Sequence, residues 1–132
     1  MLPLSNTAAP WDTFSYTLTD VPAGTTGLSA KTTWNLRRKL TLALDGNGQA
    51  TVNFTGINPT TGKQLKGGDI ASAGPAPAYG PPDNQIQLYD YLKLLANWHT
   101  YTSGADIDGN GQVSTGDYNI LSSNWYTVGD PQ

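Results

Sequence analysis

In three stretches between residues 14 and 54, apolar side chains recur at every second position. Phe14, Tyr16 and Leu18 alternate with Ser15 and Thr17. Trp34, Leu36, Leu40, Leu42 and Leu44 share one parity, interrupted by Arg38, and Ala50, Val52 and Phe54 follow. A period of two predicts half-buried strands. Between Leu44 and Ala50 stands DGNGQ, whose Asp-Gly and Asn-Gly pairs tolerate the positive φ of a tight hairpin. Later in the chain the period changes. Tyr91, Leu94, Leu95 and Trp98 are spaced i, i+3, i+4, i+7, and Tyr118, Leu121 and Trp125 repeat that stripe. This predicts two short amphipathic helices that bury their aromatics against each other. They belong to an internal repeat: DYLKLLANWHT from Asp90 returns as DYNILSSNWYT from Asp117, 27 residues on.

The Gly- and Pro-rich stretch GINPTTGKQLKGGD, residues 56–69, separates the two patterns. The expected class is α+β and modular. A small antiparallel β-sandwich-like module is expected over 1–66, and an all-α module over 67–132. The β module has about 55 patterned residues, near the size at which one core becomes marginal, so it is expected to pack on the second half.

Charge sharpens this division. All ten acidic residues are Asp, and none is Glu. Asp favours caps, turns and loops, where its short carboxylate reaches backbone or a cation. Residues 1–66 carry a net +3, whereas 67–132 carry −6 with Lys93 as their single base. The second half must tolerate that repulsion or recruit cations. LRRKL is too short for a nucleic-acid footprint, and no nucleic-acid partner is expected. The chain has no Cys, hence no disulfide and no thiolate metal site. No apolar run approaches the ~20 residues that would span a bilayer, so no membrane insertion is expected. The opening MLPLSNTAAPW lacks the features of a secretory signal, and the native chain is expected to extend upstream.

DGNGQ occurs a second time, inside DIDGNGQVSTGD at 106–117. Numbered from one to twelve, this segment follows the EF-hand pattern of oxygen ligands. Asp106 stands at position 1, Asp108 at 3, Asn110 at 5, Gln112 at 7, Ser114 at 9 and Asp117 at 12, with Asp in place of the usual Glu. Gly111 permits the sharp turn, Val113 points to the core, and Asp117 closes the loop at a helix start, where negative charge is favoured. Such a set of hard oxygens suits Ca2+ better than Mg2+. The same register on the first repeat puts Asp90 at 12, Gln87 at 9, Gln85 at 7, Asn84 at 6 and Asp83 at 5. Asn tolerates the left-handed turn at position 6. Asp69 then serves as position 1, with an insertion of about ten Ala-, Pro- and Gly-rich residues looped out at small entropic cost. A second Ca2+ is expected there; the competing reading makes 71–82 a linker and this site dead.

A duplicated half-EF-hand, each a calcium loop plus an exiting helix, resembles a dockerin over roughly residues 67–130. The resemblance implies a helical cluster held by two calcium ions. It also implies a docking function, in which an extracellular protein, often one that degrades polysaccharides, attaches through a cohesin module to a scaffold or cell surface. The partner-contacting positions of that family fall on Leu88, Tyr89, Leu95, Ala96 and Thr100 in the first repeat. In the second they fall on Thr115, Gly116, Ser122, Ser123 and Thr127. The first set is apolar and the second small and polar, so one dominant binding mode through the first-repeat helix is expected. The alternative is that Leu88, Tyr89 and Leu95 bury against the β module or the inserted loop. The β module itself is either an accessory that braces the dockerin-like part or the tail of a larger domain.

An enzyme is not expected. The single His, His99, follows a helix with no evident partner, and none of the Asp residues outside the loops stands in a catalytic motif. Two alternatives remain: a carbohydrate-binding module, with Trp11 and Trp34 as candidate sugar platforms, and a structural calcium stalk of a surface protein. Asn53 in NFTG matches a glycosylation acceptor, a pattern common by chance.

Overall fold

A computed structural model of the chain describes residues 17–55 and 64–132. Trp11, Phe14 and Tyr16 lie outside the described residues, with most of the first expected strand. Four elements follow in order: β1 (Gly27–Ala30), β2 (Arg38–Thr41), α1 (Leu88–Ala96) and α2 (Thr115–Ser123). β1 and β2 pair antiparallel, with Leu28 opposite Leu40 and Ala30 opposite Arg38.

This corrects the expected β-sandwich: among the described residues there is one two-stranded sheet. The alternation itself is real. Leu36 and Leu40 are buried and Leu42 and Leu44 half-buried, while Lys39, Thr41 and Ala43 are exposed. Val52 and Phe54 likewise turn inward relative to Thr51 and Asn53. Leu18 and Ala50, of the same parity, are exposed, so the alternation holds along 36–44 and 51–54 alone and does not supply a second ladder. The first DGNGQ does turn the chain. Asp45 Oδ1 accepts the N–H groups of Asn47 and Gln49, both at 2.8 Å. Asp45 N–H in turn donates to Gln49 O at 2.8 Å. No strand continues beyond that bond on either side.

The helices begin two residues before the Asp from which the repeat was counted, because Asp90 and Asp117 are third helical residues. Each closes a capping box: Asp90 Oδ2 accepts the N–H of Gln87 at 2.8 Å, and Asp117 Oδ2 that of Ser114 at 2.8 Å. Asn97 and Asn124 end the helices, and His99 and Tyr126 follow with left-handed φ of 61° and 59°. The helices meet through repeat-equivalent rings, Tyr91 against Tyr118 edge-on at 6.2 Å and Tyr91 against Trp125 at 6.3 Å. Leu95, assigned to the buried stripe by spacing, is instead 51% exposed, and of the two leucines Leu94 enters the core, with Tyr91 and Trp98 packed on it.

The two loops are joined crosswise. Ile86 exchanges backbone hydrogen bonds with Tyr126 and Thr127, and Val113 with His99 and Thr100, all between 2.9 and 3.0 Å. Ile86 and Val113 sit at position 8 of their loops, so each loop is sealed by the tail of the other repeat's helix. Around them Ile70, Leu94, Ala105 and Leu121 form one buried cluster, and Leu36 from the first half belongs to it.

Backbone bonds tie residues 34–39 along the same seam. Leu36 N–H reaches Lys66 O, Gly68 N–H reaches Trp34 O, and Asp130 N–H reaches Arg37 O. Gly67 is compelled by this closeness, since a Cβ there would stand 2.7 Å from an Ile120 methyl and 2.9 Å from one of Ile107.

Candidate metal centre

The loop at 106–117 curls so that one carboxylate oxygen from each of Asp106, Asp108 and Asp117 lies within 4.8 Å of the others. Gly111, with φ of 95°, makes the turn. Its N–H donates to Asp106 Oδ2 at 2.9 Å. The other oxygen, Asp106 Oδ1, is buried without a hydrogen-bond partner. A buried, unpaired carboxylate oxygen is costly unless a cation meets it. Asp117 is fully buried, and its Oδ1 accepts the N–H groups of Ile107 and Asp108 at 2.5 and 3.0 Å. Burial raises the Asp108 carboxyl above its ordinary value, and the charges of Asp117 and Asp106 add to the rise.

Three anions packed this closely, one with an orphaned oxygen, fit a hard divalent cation. Around them, Asn110 bonds Asp108 Oδ2 through its amide and accepts Gln112 N–H at 2.9 Å. Ser114 caps α2 through its hydroxyl.

The first loop copies the scaffold without the carboxylate cluster. Asp90 Oδ1 accepts the N–H groups of Ile70 and Ala71 at 2.7 and 2.9 Å, as Asp117 does for Ile107 and Asp108. Asn84, with φ of 69°, stands where Gly111 stands. Asp69 corresponds to Asp106 and receives the N–H groups of Asp83 and Asn84, each at 3.0 Å. The insertion closes on itself through paired bonds between Ser72 and Gly80.

Position 3, however, is Ala71. Exposed Asp83 turns to Gln85 N–H and the Gln87 side chain. Among the described residues, 106–117 holds the only group of three acidic side chains close enough to share a metal, and Asp69, Asp83 and Asp90 do not form a second. Burial pushes the Asp90 carboxyl up to about 6. Asp69 is also raised by burial, opposed by Lys31, whose ammonium forms a salt bridge with it. Sequence reasoning missed Lys31, which carries no loop signature; the lack of a position-3 ligand was the one available hint.

The expected partner face divides. Leu88 is 55% exposed, and Ala96 is exposed beside Leu95. Tyr89 is half-buried, its ring 6.4 Å from Tyr79 of the insertion. Thr100, Thr115, Ser122 and Ser123 are exposed, whereas Thr127 is half-buried and bonds Ile86 through its carbonyl. Gly116 lies against the Asp108 carboxylate, which a Cβ would overlap. Trp34 donates its indole N–H to Ser103 O at 2.8 Å and, partly buried, packs on the core.

No family model matches the chain, and no curated protein matches it. Among solved structures, it is similar to a chain of a type II cohesin–X–dockerin complex from Acetivibrio cellulolyticus, an N-terminal interface mutant. The identity is 20%, the TM-score 0.55, and the match covers 83% of this chain and 67% of that one. The likeness is one of fold. It extends over more of the chain than either half contains.

Proposed function

We propose that this chain is a non-catalytic docking module of the dockerin type. Its 106–117 loop binds Ca2+ through Asp106, Asp108 and Asp117, with Asn110, Gln112 and Ser114 completing the shell. The observation that carries the metal is the buried, partnerless Oδ1 of Asp106 within a three-carboxylate cluster. The fold likeness to a chain of a cohesin–X–dockerin complex supports the rest. In this reading the partner is a cohesin-like module. It meets the exposed apolar side of α1, where Leu88, half-buried Leu92 and Leu95 lie along one face with Ala96 beside them. Residues 1–66 act as an accessory module that braces 67–132. The setting is extracellular, where calcium is plentiful and the carrier is a secreted or surface protein, for instance one acting on polysaccharides.

Calcium raises the melting temperature of such a chain, and Asp106→Ala abolishes that shift. A type II cohesin captures the wild type in calcium and releases it in chelator. Leu88→Asp with Leu95→Asp prevents capture without lowering the melting temperature. Capture that survives both the chelator and the double substitution sinks the docking reading.

A further inference from the structure

Where the second loop leaves a carboxylate oxygen unmet, the first leaves none. Asp69 is fully buried, and its two oxygens receive Asp83 N–H and Asn84 N–H. One of them also receives the Lys31 ammonium. The same ammonium donates to Asn35 O at 3.0 Å. Lys31 belongs to the first half of the chain and is held beside the loop by the seam, where Asn35 bridges to Gly67 and Trp34 O accepts Asp69 N–H. Lys93 closes the other side by donating to Ile70 O at 2.8 Å.

We propose that the Lys31 ammonium takes the cation's place in the first loop. The protein then binds one calcium ion, at 106–117, and its first loop is held shut by the N-terminal half of the chain. The chemistry of the donor sets explains the difference. A compact ammonium with three donors and one charge satisfies one buried carboxylate and a carbonyl. It could not satisfy the three carboxylates that converge in the second loop, which call for a divalent ion. With Ala71 at position 3 and the Asp83 carboxylate on Gln85 N–H and the Gln87 side chain, the first loop lacks the three-carboxylate cluster of the second, and a monovalent cation matches its buried Asp69. A buried charge of this kind is strongly destabilising once its partner is removed. The pair is therefore a staple between the two halves that is independent of calcium. The proposal rests on the reading above only in taking 106–117 as the ion loop.

Calorimetric calcium titration of the full chain, joined to melting in calcium and in chelator, tests it. Wild type is expected to bind one ion, Asp83→Ala one, and Asp108→Ala none. Lys31→Met is expected to lower the melting temperature by roughly 5–10 °C, equally in calcium and in chelator. Asp69→Asn should cost a similar amount, and the double variant little more than either single one, since both remove the same bond. Two ions bound to the wild type overturns the proposal, as does a Lys31→Met chain that melts with the wild type. Additive losses in the double variant also overturn it. A wild type that binds no ion sinks the calcium reading of 106–117 instead, and the Lys31 and Asp69 melts still decide the first loop.

Discussion

At the scale of single residues, Gly116 has a neighbour that its loop position did not announce. Its place in the loop numbering marked it as a partner contact, yet it lies against the Asp108 carboxylate. A methyl there must displace that carboxylate, so in the proposed reading Gly116→Ala is expected to weaken calcium binding several-fold, read by titration, with the exposed face of α1 unaltered. The three gathered carboxylates, Asp106, Asp108 and Asp117, were legible because oxygen spacing in a twelve-residue loop is dictated by geometry. Lys31 was not, because a staple from outside the loop obeys no local spacing.

The buried carboxyls also set a pH dependence. Burial raises Asp90 from 3.8 to about 6. Between those values the folded chain holds a proton that the unfolded chain has released, so this contribution to stability falls as pH rises through the window. Burial and neighbouring anions move Asp108 in the same direction. The calcium-free protein is therefore expected to melt higher near the bottom of that window than at neutral pH. In saturating calcium the order reverses, because protons then compete with the ion for Asp108. Paired thermal melts across pH check both signs.

Among elements, the two helices were readable and the sheet was not. Helical spacing, capping residues and the repeat all agree over 88–96 and 115–123; the starts shifted by the depth of the capping box, and the ends fall short of Trp98 and Trp125. β1 has a single large apolar residue, Leu28, between Gly27 and Ala30, too little to show a period. The segment 50–54 alternates but finds no ladder, since alternation records burial and not pairing. The insertion behaves as a separable element, closed at its neck by Ser72 and Gly80. Replacing 73–79 with two glycines is expected to keep the fold and the calcium stoichiometry, at a cost under about 1 kcal/mol. It removes Tyr79 from Tyr89 and should change cohesin affinity through that freed ring, measurable by titration of the partner.

Over the whole molecule, the boundary drawn at residue 66 marks a change of pattern, but the buried cluster runs across it through Leu36. Leu36→Ala is expected to cost ~2–5 kcal/mol in denaturant melts. Residues 67–132 made alone should lose at least as much, even in calcium. Equal stability of the excised and full chains would show the seam to be idle. Composition could mark the two halves by charge, but no period or motif reports which side chain of one half enters the core of the other. The crosswise bonds of Ile86 and Val113 bear on how the molecule comes apart. Each repeat lends its tail to its sibling, so neither can fray by itself without stripping the other's loop. Internal duplication here does not yield two independently melting copies. The amide protons of Ile86, His99, Val113 and Tyr126 should exchange with solvent at one common rate, as parts of a single cooperative unit.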